Sequence, residues 1–545
     1  MVRTKEGKSM NFKEKIGEKA GVTLISLVVT IIILLILAGI TIATITSDNG
    51  IIKNANDAKE QTEIAEEKET IDRATIQAMG NNKRGNLVEN ELQEQLDKIT
   101  DNGKIEVSDI GENFEVVFVD SNRYYTVDKN GNIIEEGKIV IDKSPGDITV
   151  GRDGETLDGS EAHPYEIWCI EDLVDFSKSV SEGKNYYNEN VKLMTTLNFH
   201  SSLSYSDTKN KYKYDETANA YIIDENSEKT LKELITDENG VGFIPIGMIS
   251  SSAENRFRGN FDGGNNEIKN IYVNTKNNAG LFGGVFWATV ENVKISGSIN
   301  STDGSAGGLI GNGPATIRNC SNEAMIKAKQ SSGGIVGEGS WQSKLLENCY
   351  NTGDVYSESS YAGGLAGTFA GKINNCYNLG NIEGTANTGG ILGRVAGKTE
   401  VINGFNQGNV TSKTWIAGGI VAFEYAEATV NNCYNIGNIT TEGTIVSDVR
   451  SKGIGGTYIN NCYNIGILQS TRACYAIGDK TINNCYYNAI LVGEVEDVGN
   501  IEDISQLDKK EFVNLLNSYR KEGEQTYPAE WKKWNLGEEG YPVFE

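Results

Sequence analysis

Eight cysteines, two histidines and many carboxylates give this 545-residue chain its means for metal binding, nucleophilic attack or acid–base work. No two cysteines stand as C-x-x-C, and only His163 and His200 are at hand to complete a set, so no zinc site is expected. Neither His-Glu-x-x-His nor Gly-x-Ser-x-Gly occurs, which removes common zinc-protease and serine-hydrolase patterns. Glycoside cleavage needs two facing carboxylates. The chain is rich in acids, yet it has no Asp-Asp or His-Gly pair of the kind found in pectin-cleaving sites. Asp128-Lys129-Asn130-Gly131-Asn132 and Asp262-Gly263-Gly264-Asn265 have residue types of a calcium loop. Neither has the EF-hand spacing, and both read as plain turns. No catalytic residue, metal or cofactor is assigned.

The cysteines instead keep a register. Ile373-Asn374-Asn375-Cys376-Tyr377-Asn378-Leu379-Gly380-Asn381-Ile382 is the clearest copy of a motif whose cysteine position is filled by Val293, Cys320, Cys349, Cys376, Gly404, Cys433, Cys462 and Cys485. The steps between them are 27, 29, 27, 28, 29, 29 and 23 residues. Between the copies runs a second motif, Ala306-Gly307-Gly308-Leu309-Ile310-Gly311, repeated at Ser332–Gly337, Ala362–Gly367, Thr388–Gly393 and Ala417–Ala422. A period of this length marks stacked repeats, none of which can bury its apolar face alone. Short apolar touches between turn residues read as strands, so one repeat equals one coil of a parallel β-helix. The glycines then permit close backbone approach and positive φ at corners. Repeated asparagines are expected to stack as a ladder, each amide bonding to the next coil at ~4.8 Å.

Stacking puts six thiols in one column. Val293 and Gly404 in the same column favour an inward ladder of small apolar side chains over regular disulfides. Cys169 and Cys474 lie off register, paired or free. The tyrosine after five of the six motif cysteines (Tyr350, Tyr377, Tyr434, Tyr463, Tyr486) makes a second column. If exposed, it is suited to stacking on sugars or protein; buried packing is the favoured reading.

The Gly-Gly-Leu-x-Gly copies closely resemble the motif of the GLUG family of Gly-rich surface proteins, over about residues 160–545. Residues 148–275 resemble the entry segment of such β-helices, with a polar stretch from Ser201 to Glu238 as a projecting loop or insertion. The repeats occupy 276–490. Residues 491–545, with Phe512, Leu515 and Leu516 on a helix and Trp531 and Trp534 after it, suit a cap over the exposed last coil.

The elements that carry this solenoid lie upstream. An uncharged run, Val22 to Ala43, would span roughly 33 Å as a helix, enough to cross a bilayer. The leader before it holds six basic against three acidic side chains and should stay in the cytoplasm. Lys19-Ala20-Gly21-Val22-Thr23-Leu24-Ile25 resembles the processing site of type IV prepilins and type II secretion pseudopilins. The resemblance implies cleavage by prepilin peptidase between Gly21 and Val22, and N-methylation of Val22. The family's glutamate at the fifth mature position, which neutralises a neighbouring subunit's N-terminal amine, is Ser26 here. A hydroxyl hydrogen-bonds but supplies no charge, which counts against filament assembly more than against cleavage.

Ile51 to Met79 reads as a continuing helix, with Ile51, Ala55, Ala58, Ala65 and Ala74 at near-helical spacings. Leu87 to Ile99 reads as a second helix, then Phe114–Val119 and Arg123–Val127 as a hairpin. The expected architecture is thus mainly β with N-terminal α. Leader 1–21 precedes a long helix 22–80, which includes the span 22–43. A small α+β pilin-like head (81–137) and linker 138–147 lead into the right-handed β-helix and its cap. A formal charge of −25 argues against nucleic acid as partner. With 62 Gly and 6 Pro and no Gly-X-Y period, collagen is excluded too.

The functional expectation is a type IV pilin-like or pseudopilin-like surface protein displaying its β-helix for adhesion. It would be single-pass in the cytoplasmic membrane before assembly, with its bulk extracellular. Expected partners are prepilin peptidase, pilus or type II secretion-like assembly machinery, other pilins, and a carbohydrate or host-surface ligand. The alternatives are a membrane-anchored β-helix outside any filament, or a β-helix enzyme acting on polysaccharide.

Overall fold

The computed structural model describes residues 51–545 apart from short stretches, chiefly 82–86, 101–104, 110–112, 139–146, 207–209, 217–219, 248–254, 445–448, 493–500 and 521–523. Gly21, Val22, Ser26 and the run 22–43 lie outside the described residues. Among the described residues no helix is long and apolar enough to cross a membrane. The chain divides into two compact units at residues 140 and 141.

The first unit packs helix on sheet. Helix α1 (Ile51–Asn81) is followed by α2 (Glu89–Ile99) and four strands, β1 (Ile105–Asp109), β2 (Asn113–Phe118), β3 (Arg123–Asp128) and β4 (Ile133–Lys138). The strands form an antiparallel meander in chain order, with Phe114 opposite Val127. The hairpin read from sequence is its centre, flanked by two strands that the sequence reading left out. Ile71, Ala74 and Ala78 fall on one helical face and pack with Leu92, Leu96, Phe114, Val116, Tyr125 and Val127. Ala65 is exposed, so the inward face is set by the later alanines. Glu67 shares that buried face because it is paired: Tyr125 donates its hydroxyl to it at 2.7 Å and Arg123 Nη1 lies 3.4 Å away. Asp128 caps its own turn, accepting from the backbone N–H groups of Asn130 at 2.9 Å and Asn132 at 2.8 Å. Its oxygens are thereby engaged as in an ordinary Asx turn.

The second unit is a parallel β-solenoid of about ten turns. Helix α3 (Ile170–Ser181) lays Leu173, Phe176 and Val180 on its start. The polar stretch after Ser201 is a folded insertion rather than a projecting loop. Its antiparallel strands Tyr212–Asp215 and Ala220–Ile223 and helix α4 (Leu231–Ile235) bury Tyr221, Leu231 and Ile235 in the core. A typical coil runs through Ala362–Gly363, Ala366–Asn374, Tyr377–Asn378 and Ile382–Gly384 before the next begins at Thr388. Rungs pair in parallel register with the equivalent residues one coil on, as Tyr350 with Tyr377 and Asn351 with Asn378.

The solenoid core is a continuous stack of small and branched apolar side chains that includes the six column cysteines. The six column cysteines and Cys169 are free thiols. Cys376 Sγ points at the Asn374 carbonyl at 3.1 Å, and the Cys349 N–H donates to Cys376 Sγ at 3.4 Å. Burial pushes the Cys320, Cys376 and Cys462 thiols well up.

The Gly-Gly doublets of the repeat motif serve close approach, while positive φ is left to other glycines such as Gly297, Gly313 and Gly371. A Cβ on Gly364 would run into the Gly390 carbonyl and the Asn378 side chain. The left-handed corners fall instead to asparagine, one per coil: Asn265, Asn292, Asn319, Asn348, Asn375, Asn403, Asn432, Asn461 and Asn484 have φ between 51° and 60°. Asparagine is among the non-glycine residues that best tolerate this region.

A half-capped ladder as candidate functional site

Three columns of side chains run along one flank of the solenoid. The innermost is Asn322, Asn351, Asn378, Asn406, Asn435 and Asn464, all fully buried. Each amide N–H₂ from Asn322 to Asn435 donates once to the next Asn Oδ1, at 2.7–2.8 Å, and once to a carbonyl two residues on in its own coil. Both donors are used, and burial costs little as a result.

The second column is the corner asparagines themselves. Asn319 donates to Asn292 at 2.9 Å, Asn348 to Asn319 at 3.0 Å, Asn375 to Asn348 at 3.2 Å, and the series continues to Asn484. The Asn-Asn doublet of the motif thus has two jobs, since its second member turns the corner and builds this ladder.

The third column is aromatic. Tyr350, Tyr377, Phe405, Tyr434 and Tyr463 stack face to face with centroids 4.7–5.1 Å apart and planes within 7° of parallel. Each stacked pair contributes about 0.5–1.5 kcal/mol beyond its area. Stacking uses the ring faces and turns the edges outward.

The C-terminal segment covers part of this flank. Ile501–Asp503 pairs with the last coil at Cys485–Tyr487, which closes the open sheet edge. The chain then folds back along the side of the last coils instead of only over the end. Helix α5 (Lys509–Asn517) brings Phe512 edge-on to Tyr463 and Tyr486, with planes at 75° and 70°. Trp534 and Phe544 tilt onto Tyr434.

Beside the rings, backbone of the cap binds the corner asparagines. Asn403 donates to the Glu530 carbonyl and accepts from the Lys532 N–H, both at 2.9 Å. Asn432 donates to the Lys532 carbonyl at 2.9 Å and accepts from Trp534 Nε1 at 2.7 Å and Tyr527 at 2.9 Å. Lys372 and Glu530, 3.3 Å apart, mark the edge of the cover.

Beyond that edge the columns go on uncovered. Asn319 and Asn348 are exposed, Asn375, Tyr350 and Tyr377 are half-buried, and Leu379 beside them is 41% exposed. Burial raises the Tyr377 phenol to about 12, and raises Tyr434 and Tyr463 further. The expected tyrosine column is therefore two things in one, packing under the cap and an open strip ahead of it.

The remaining candidates stay apart. His163 Nδ1 lies 3.2 Å from Glu155, and among the described residues no three His, Cys, Asp or Glu side chains converge as metal ligands. Cys169 lies 3.5 Å from Ser206 Oγ, and Cys474 sits half-buried on a strand near the end of the solenoid.

No family model matches the chain, and no curated protein matches it. Among solved structures it is similar to the crystal structure of a "putative immunoglobulin A1 protease" from Bacteroides ovatus. That likeness has 17% identity and a TM-score of 0.38, over 72% of this chain and 95% of the other. So low a score carries no argument about activity.

Proposed function

We propose that this chain is a type IV pilin-like or pseudopilin-like surface protein, processed by prepilin peptidase, that holds a β-solenoid outside the cell to bind other surfaces. The observation that carries the reading is the junction at Gly21 and Val22, where a basic leader meets an uncharged run of 22 residues. Helix α1 begins shortly beyond that run and packs its later turns on a four-stranded antiparallel sheet, which suits a pilin-like stalk and head. The solenoid fits a surface or secreted protein. The Asn-Asn and Gly-Gly motifs recur from coil to coil among the described residues, which favours binding over catalysis.

Intact-mass analysis of the membrane-extracted protein tests the processing step. Loss of Met1–Gly21 and a methyl group on Val22 are expected; a retained leader refutes the proposal. Sheared surface filaments test assembly. With Ser26 in place the chain is expected to be a minor component, and Ser26→Glu should raise its share, because a carboxylate neutralises a neighbour's buried amine. Release of reducing ends or unsaturated sugars from polysaccharide would replace the binding reading with an enzymatic one.

A further inference from the structure

We propose that the uncovered strip at Tyr350 and Tyr377, with Asn348 and Asn375 alongside, docks a segment of a partner polypeptide that carries aromatic side chains. The inference stands on the second unit alone and does not depend on processing at Gly21.

The cap shows what this surface accepts. A turn of cap backbone closed by the Trp531 N–H on the Pro528 carbonyl, and Lys532 after it, lie along the corner asparagines, which take peptide carbonyls and an N–H, while aromatic rings meet the ladder edge-on or tilted. Both columns continue past the cap without a change of register: Asn375 leads to Asn348, and Tyr377 stacks on Tyr350 with planes 3° apart. In the covered coils an asparagine N–H₂ serves its neighbour and a peptide carbonyl. In the uncovered coils the donation to the neighbour remains, and the exposed amide keeps a second hydrogen for a ligand. Leu379 adds an exposed apolar side chain next to the rings.

The occupant follows from ring geometry. A sugar stacks on an aromatic face, but neighbouring rings occupy both faces of Tyr377 and one face of Tyr350, and the edges along the strip point outward. Edges carry the positive rim of the quadrupole and attract the face of another aromatic ring. Amides at a fixed spacing beside them suit a peptide backbone, as a strand added to an open edge does. A polypeptide with an aromatic residue satisfies both columns, whereas a glycan finds ring faces only at the end of the stack.

The test uses the full chain in detergent and a labelled synthetic peptide of residues 527–545, which carries the docking chemistry of the cap. Saturable binding is expected. A crosslinker at the peptide's Trp534 position should label the 345–380 region. Tyr350→Ser with Tyr377→Ser should weaken binding about tenfold, the loss of one hot-spot contact or more. Serine is tolerated there, because Ser321 holds the same column one coil earlier. Asn348→Gly with Asn375→Gly, which keeps the corner backbone, should weaken it several-fold. Tyr377→Phe, matching Phe405, and Tyr458→Ser on another strand should leave it unchanged. Absence of saturable binding, or binding indifferent to both double variants, overturns the proposal. So does retention of a soluble β-glucan, without peptide binding, that the tyrosine double variant abolishes; the strip is then a sugar site.

Discussion

Tyr350 and Tyr463 occupy the same position in two coils, as do Asn348 and Asn461, and their backbones have the same turn. Tyr463 and Asn461 are fully buried beneath the cap, while Tyr350 is half-buried and Asn348 open to water. One local motif therefore supplies an interior on one stretch of the flank and a surface on another. A solenoid allows this because each coil answers only to its neighbours. What a repeat residue does is decided by what lies over it, and in this chain the cover is its own C-terminal segment.

The covered stretch should respond most strongly to losing its anchor. Trp534 is almost fully buried against Tyr434, Tyr463 and Phe544. Trp534→Ala is expected to cost about 3–5 kcal/mol locally. Hydrogen exchange should show the loss in the last three coils, with the coils around Tyr350 unchanged. Equal loss of protection along the whole solenoid would show that the two stretches are one cooperative unit and break the comparison.

The corner asparagines give a finer contrast. Asn432→Gly keeps a left-handed backbone but strands Trp534 Nε1 and removes the amide's bonds to the Lys532 carbonyl and the Tyr527 hydroxyl, which keep each other at 3.0 Å, at a cost of about 2–3 kcal/mol. Asn348→Gly removes two exposed links, to Asn319 and from Asn375, at the same φ and should cost about 1 kcal/mol. Chemical denaturation of the two variants reads the difference. Equal effects would mean that the ladder bonds, rather than the cap, hold this column.

Much of the second unit was legible in its sequence, because a 27–29-residue step forces equivalent residues into one column. That placed Cys376 over Cys349 and Tyr377 over Tyr350, and the burial of the thiols followed from Val293 and Gly404 sharing their column. The two members of the Asn-Asn doublet could not be told apart, since type and spacing say nothing of φ, and the corners were assigned to glycine. The direction of the cap was also hidden. Phe512 and Trp534 announce an apolar face, but whether that face closes the end or lies along the flank depends on contacts up to 158 residues apart in the chain. In the first unit Glu67 reads as a solvent-facing residue of a charged helix. Only the approach of Tyr125 and Arg123, 58 and 56 residues on, makes it a buried anchor.

The smallest effect is a titration. A free tyrosine ionises near 10. Burial holds Tyr377 at about 12, and holds Tyr434 and Tyr463 above that. A phenol whose folded value lies above its unfolded value contributes stability that is complete below about pH 10 and lost as pH rises through the folded value. Tyr377 therefore begins to weaken the fold between pH 10 and 12, while the capped tyrosines still resist ionisation. Ultraviolet titration should resolve a phenolate step near pH 12, shared by Tyr377 and Tyr186, that Tyr377→Phe reduces by one phenol, followed by a later step that coincides with unfolding. In Trp534→Ala the later step should move down toward the first, as water reaches Tyr434 and Tyr463. If it does not move, the stacking of the rings on one another, and not the cap, keeps the phenols neutral, and the flank is equally closed along its length.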